Sequence, residues 1–342
     1  MLEDIRRQLA PDDLVLKEAR HRRDAVKHAA NTFPGFLRAY NSGSLAHGTA
    51  NCPIHQRDKG LDADCGIVLD RRTHHTLGPD SLLREGPADV VARVLARVKP
   101  KVLKEYPRAT FTVSKRAIFI KMRQPLATGE DPTVDLIVGL ERRAGGLWIP
   151  NMEQQRWDPS HPEKHTELLT ADPRVLRVTR ARAIRLAKAE NKRSRAPLCS
   201  FNVEALALMF VRRGQSEPEA LLSLWEQGAE DLAARLTPDP AGVSAPIKVD
   251  DQEYALSRLL HAADRLWTAL ENDHDEICVR ENLRELWPDF VAATPGEATK
   301  AQIAARLKAG QPLQVSPSGT LAFAGGIPLK SPRSFGSRGR QR

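Results

Sequence analysis

The chain has 342 residues, 41% hydrophobic and 28% charged, the balance of a soluble globular protein long enough for two domains. No stretch nears the roughly 18 consecutive apolar residues of a membrane span. The segment Met1 to Arg7 lacks the apolar core of a secretion signal, so a cytoplasmic protein without membrane contact is expected. A formal charge of +9, from 52 Lys and Arg against 43 Asp and Glu, favours polyanionic partners such as nucleotides or nucleic acid.

Asp12 suits the N-cap of a helix running to about Asn31, with Val15, Ala19, Val26 and Ala30 recurring at helical spacing. Pro34-Gly35 breaks it. Phe36 to Tyr40 reads as a short strand, and Asn41 to Ser44 as a turn feeding a short helix. A polar loop from Asn51 to Gly60 leads into Leu61 to Leu69, whose apolar end reads as a buried strand. Cys52 and His55 in this region lack the second ligand pair of a zinc site, and the four scattered cysteines show no CxxC spacing; isolated thiols are expected. Pro79 to Val98 predicts a helix packing through Leu82, Val90, Val94 and Val98. Strands are predicted at 110–113, 117–122 and 132–140, and Trp148 and Trp157 read as packing residues. From His161 onward the pattern is helical, at 161–171, 173–194, 199–213, 217–236, 253–272 and 296–308, with a Pro/Gly-rich loop from Thr237 to Pro246. The expected fold is therefore α+β. A mixed α/β core with an N-terminal helix spans 1–160, a helical lobe spans 161–315, and a basic, partly disordered tail spans 316–342.

Asp62 and Asp64 lie two residues apart on a strand and so share a face. Like charges so placed are costly to desolvate and call for a counter-cation. Asp135, within the apolar run Thr133 to Val138, raises the same demand. Gly43-Ser44 at a strand-to-helix turn lets backbone amides and a hydroxyl approach a phosphate. Three carboxylates on adjacent strands can hold two Mg²⁺ (or Mn²⁺) ions about 3.5–4 Å apart, the arrangement of in-line nucleotidyl transfer. The segment Arg174 to Arg195 carries nine basic residues with Glu190 the one acid. His161-Pro-Glu-Lys-His165 lacks the HExxH order of a metalloprotease. Aromatic content of 5% disfavours a single-strand binder built on stacking.

Gly43-Ser44-Leu-Ala-His-Gly48-Thr49, Leu61-Asp62-Ala-Asp64-Cys-Gly66 and Val134-Asp135-Leu-Ile together resemble the polymerase-β-type nucleotidyltransferase superfamily. Within it the chain looks most like the CD-NTases of CBASS antiphage systems, bacterial enzymes similar to cyclic GMP-AMP synthase and oligoadenylate synthase. Arg185-Leu-Ala-Lys188 followed by Cys199-Ser200-Phe-Asn-Val-Glu204 is similar to that family's helix Lys and downstream Ser, which contact the donor triphosphate. Seventeen residues separate Ser44 from Asp62, more than in most relatives, and Cys65-Gly66 stands where many carry a further acid. The resemblance implies a polymerase-β-like core, catalytic and metal-binding Asp62, Asp64 and Asp135, and nucleotide-binding Gly43, Ser44, Lys188 and Ser200. It implies a monomer that joins ATP and/or GTP into a cyclic di- or trinucleotide messenger. A regulatory protein or ligand would be compatible with it, and nucleic acid is not required. The alternative is a template-independent transferase that acts on tRNA or other RNA, or makes linear oligonucleotides. A nucleic-acid-binding module without catalysis is a third, opposed by the retention of all three acids.

Overall fold

The computed structural model describes residues 1–52 and 60–292, together with Lys308 and the pairs 314–315, 321–322 and 327–328. The chain divides into two compact units, Leu2–Asp264 and Met1 with Arg265–Arg342. The larger unit spans the expected boundary at residue 160 and carries all the sequence-predicted site residues.

Two helices open it, α1 (Leu2–Leu9) and α2 (Asp13–Ala30). The Asp12 carboxylate accepts the Leu14 amide at 2.7 Å, capping α2, whose Val15, Ala19, Val26 and Ala30 are buried. Next come β1 (Phe36–Asn41), α3 (Gly43–His47), β2 (Asp62–Leu69), α4 (Ala88–Glu105), β3 (Thr110–Val113), β4 (Ile118–Lys121) and β5 (Thr133–Glu141). The strands form one sheet in the order β1-β2-β5-β4-β3. Only β2 and β5 run parallel among its neighbours, so their connection must cross over, and α4 with the β3–β4 hairpin supplies it. Ala63, Cys65, Ile67 and Leu69 of β2 point into a core shared with Val90, Val94, Val98 and Val102 of α4. The opposite face of β2 starts with Asp62 and Asp64 and turns apolar at Gly66, where an added Cβ would lie 2.2 Å from the Tyr40 ring.

Several expectations change. The predicted helix from Pro79 begins only at Ala88, and Leu82 is fully exposed instead of packed. Gly86-Pro87 ends the irregular stretch, and α4 then continues through Pro100 to Glu105, the buried Val98 and Val102 offsetting the amide bond that Pro100 lacks. A hairpin of β6 (Leu147–Asn151) and β7 (Arg156–Ser160), not anticipated as strands, extends the sheet from the end of β5. Pro150 and Pro159 argue against strands in sequence but are tolerated at this edge. Trp157 is buried in the core, and Trp148 packs against it while donating to Asp80 at 2.9 Å.

The helices from 161 follow the reading closely: α5 (Pro162–Thr170), α6 (Arg174–Arg193), α7 (Ser200–Phe210), α8 (Glu217–Ala234) and α9 (Gln252–Glu271). The second unit adds an unanticipated α10 (Glu276–Leu286) and three two-residue strands, β8 (Gln314–Val315), β9 (Leu321–Ala322) and β10 (Ile327–Pro328), in the order β10-β8-β9. The helix expected at 296–308 lies, but for Lys308, outside the described residues, as do His55 and most of the 316–342 tail. Among the described residues no helix is long and apolar enough to cross a membrane.

One buried cation ties the helical layer to the strand of Asp135. Arg22 of α2 is fully buried and donates to Glu18 at 2.7 Å, Asp131 at 2.5 Å and the Pro132 carbonyl at 2.7 Å. The planar guanidinium fork reaches all three from two of its nitrogens, and the segment entering β5 is thereby held against α2.

Candidate active site

The parallel register of β2 and β5 sets Asp62 opposite Thr133 and Asp64 opposite Asp135. All three acids are half-buried. Asp62 accepts a hydrogen bond from the Thr133 hydroxyl. Burial, and then the charges of Asp135 and Asp62, push the Asp64 carboxyl up to about 7. This is the like-charge problem that the sequence posed, now made by two strands.

The turn before α3 is fitted to that face. The Ser42 amide donates to the Asp64 carbonyl at 3.1 Å, pinning the turn to β2. Gly43 adopts φ +70°, and a Cβ there would fall 1.8 Å from Asp64 Oδ2. Only glycine meets both conditions. Ser44 follows at once in α3, half-buried beside the acids.

Lys188 of α6 approaches from the helical side, but it is not an open charge. Its Nζ donates to Glu204 Oε1 at 2.7 Å and to the Thr49 hydroxyl at 3.1 Å. The Thr49 hydroxyl donates to the same Glu204 oxygen at 2.6 Å, and His47 Nδ1 lies 3.0 Å from Glu204 Oε2. Sequence reasoning missed this network of Glu204, His47 and Thr49. An acid beside the apolar run of α7 was its one local signal. Ser200 is the first residue of α7 and exposed; the N-cap position belongs to Cys199, so the Ser200 hydroxyl is not spent on capping.

Two cavities of about 410 and 420 Å³ meet here and share Ser44, Asp62, Lys188 and Ser200. The first is lined also by Asn51, Lys192 and Lys248, the second by Asp64, His165, Phe201 and Ile137. Of the seven sequence-predicted residues, six line one or both cavities; Asp135 stands behind Asp64 in the register. Among the described residues no three His, Cys, Asp or Glu side chains already stand in metal-holding geometry. The donor chemistry nevertheless fits a hard cation: three carboxylates from paired strands, one of them raised to about 7 by burial and then by the other two, with Asp62 lining a cavity that also holds Lys192 and Lys248.

The network predicts a distinct acid response. Burial alone would raise the Glu204 carboxyl, but Lys188 and His47 outweigh it and hold it down at about 2. A carboxylate held below its unfolded value stabilises the fold above that value and ceases to do so as pH falls from about 4.5 towards about 2. Glu204→Gln should therefore flatten the acid limb of stability by about 3 kcal/mol, and lower stability at pH 7 by about 3–5 kcal/mol because Lys188 loses its counter-charge. Urea denaturation between pH 2 and pH 7 measures both.

No protein-family model and no curated protein matches the chain. Solved structures do match. The CD-NTase CdnG of Bradyrhizobium diazoefficiens, in complex with GTP, aligns at TM-score 0.62 and 17% identity over 85% of this chain and 95% of that one. CdnC of E. coli MS115-1 with ATP aligns at 0.60 and 14%, covering 85% and 97%. The Vibrio cholerae cyclic AMP-GMP synthase DncV, with the linear intermediate 5′ pppA(3′,5′)pG, aligns at 0.56 and 12%, covering 85% and 88%. The chain thus has the fold of these CD-NTases, a mixed sheet in a polymerase-β-like core continued by helices.

Proposed function

We propose that the chain is a nucleotidyltransferase of CD-NTase type, which joins ATP and/or GTP into a cyclic di- or trinucleotide messenger in antiphage signalling. The observation that carries this reading is the β2–β5 register, which sets Asp64 against Asp135 with Asp62 at the rim of two cavities sharing Ser44, Lys188 and Ser200. Two cavities suit two nucleotides, one donating its α-phosphorus and one offering a ribose hydroxyl. The structural neighbours hold GTP, ATP and a linear pppA(3′,5′)pG.

Asp62, Asp64 and Asp135 would hold two Mg²⁺ ions, which supply charge neutralisation at the pyrophosphate and acidify the attacking hydroxyl. The Gly43-Ser44 turn brings its amides and the Ser44 hydroxyl to the triphosphate, and Ser200 meets it from the start of α7. Lys188, already neutralising Glu204, shares its charge with the phosphates. Asp135 takes the hydroxyl proton as the new O–P bond forms at the α-phosphorus and the bond to pyrophosphate breaks. A last transfer of the same kind, onto the α-phosphorus at the 5′ end of the linear product, closes the ring and releases the remaining pyrophosphate.

The RNA-directed alternative would draw on the cations of α6, three of which are already matched by carboxylates. Arg180 pairs with Asp172 at 2.5 Å, Arg182 with Glu217 at 3.5 Å and Lys188 with Glu204. Incubating the protein with labelled NTPs and Mg²⁺ or Mn²⁺, then digesting with phosphatase, tests the proposal. Phosphatase-resistant label is expected. Label that is linear, or attached to added RNA, would assign the chain to the alternative.

A further inference from the structure

A cavity of about 570 Å³ lies apart from the candidate active site, between the segment that follows β2 and the turn from β5 to β6. It shares no lining residue with the two cavities at Asp62. Leu140, which lines it, stands about 17 Å beyond Asp135 along β5, so the acids occupy the other end of that strand.

The chain builds this cavity by itself. The Gly78 amide donates to the Glu85 carbonyl at 3.0 Å and the Glu85 amide to the Thr76 carbonyl at 2.9 Å, closing the loop at its base. The Trp157 indole donates to the same Glu85 carbonyl at 2.9 Å. Asp80 ties the loop to the β5–β6 turn, its Oδ2 accepting the Trp148 indole at 2.9 Å and the Arg143 amide at 3.0 Å.

Two parts of the lining stay unanswered. Leu77 and Leu140 are buried, but Leu82 is fully exposed and Leu83 67% exposed. Arg71 has Glu141 at 3.7 Å, whereas the Arg72 and Arg143 guanidinium groups form no hydrogen bond or ion pair among the described residues. Asp80 is the one acid among the lining residues, and that oxygen is spent on neutral donors. A lone exposed leucine or a solvated arginine is ordinary. Adjacent leucines and two unpaired guanidinium groups around one concave volume are complementary to an apolar body with an anionic head.

We infer that this cavity is a ligand site for a small organic anion. Its apolar body lies on Leu77, Leu82, Leu83 and Leu140, and its carboxylate, sulfonate or phosphate head meets Arg72 and Arg143. The volume falls within the range of small-molecule sites. Such a site is separate from nucleotidyl transfer and would persist if that reading failed.

Fluorescence titration of the full chain with 1-anilinonaphthalene-8-sulfonate, an apolar two-ring anion, tests it. Saturable one-to-one binding is expected, and octanoate should displace the probe at least about tenfold more readily than octanol. Arg72→Glu/Arg143→Glu and Leu82→Ser/Leu83→Ser should each weaken binding about tenfold with the melting temperature unmoved, since all four side chains are exposed. Arg212→Glu/Arg213→Glu, the same charge change at exposed residues between α7 and α8, should leave binding unaltered. Equal loss in both charge variants, no loss in either, or displacement by octanol as effective as by octanoate would overturn the inference. Sedimentation velocity and flotation with phosphatidylglycerol vesicles separate the other occupants. A dimer, or vesicle binding, that Leu82→Ser/Leu83→Ser abolishes would assign this face to a second copy or to a lipid surface, and would overturn it too.

Discussion

Asp64→Asn and Asp135→Asn should each lower metal-dependent NTP turnover by at least about 10³-fold, the scale of some 4 kcal/mol of lost transition-state stabilisation. The fold should survive both. In the absence of divalent metal, Asp64→Asn should even melt higher than wild type at pH 8. Burial and the charges of Asp135 and Asp62 hold the Asp64 carboxyl up at about 7, so the folded chain is strained by that charge above neutrality. The neutral amide removes the repulsion, a gain on the order of 1–2 kcal/mol. Adding Mg²⁺ should then raise the melting temperature of wild type and leave that of the variant unmoved. Turnover assays and thermal melts with and without Mg²⁺ check the pair of outcomes. A variant that keeps full turnover would remove the acid from the site.

Gly43→Ala carries the second large effect. At φ +70° any L side chain is strained, and here its Cβ would fall 1.8 Å from Asp64 Oδ2. The turn and the carboxylate cannot both stay in place. Loss of about 1–3 kcal/mol of stability and at least about 10²-fold of turnover is expected. Gly48, the C-cap of the same short helix, supplies the control. It sits at φ +72° with nothing within 4 Å of an added Cβ. Gly48→Ala should cost about 1 kcal/mol through backbone strain alone and retain most of the activity. Equal loss of turnover in both variants would mean that strain, rather than the approach of Gly43 to Asp64, is what matters.

How much of this was legible in sequence depended on the range of the interaction. α2 was readable because its cap, Asp12, and its apolar spacing are local, and β2 because its apolar run is. The helices from α5 to α9 declared themselves by periodicity within a few residues of their ends. β6 and β7 did not, since Pro150 and Pro159 speak against strands unless one knows that the hairpin lies at an edge. Leu82 was misplaced for a related reason. Its spacing continues that of Val90 and Val94, but Gly86-Pro87 interrupts the backbone between them.

For the site, the chemical types were visible one by one: an acid pair on a strand, an acid in an apolar run, a Gly-Ser turn, a basic helix. Family resemblance tied them into a candidate reaction. Two things could come only from tertiary structure. The apposition of Asp64 and Asp135 depends on the register of parallel strands that are distant in sequence and joined through a helix and a hairpin. The commitment of Lys188 to Glu204 and Thr49, with His47 on the other Glu204 oxygen, depends on α3, α6 and α7 meeting in space. Sequence by itself determined which charges this protein must bury, because burial follows the local apolar pattern. Which charge answers which was decided only by the packed chain, because electrostatic pairing depends on distance in space and not along the backbone.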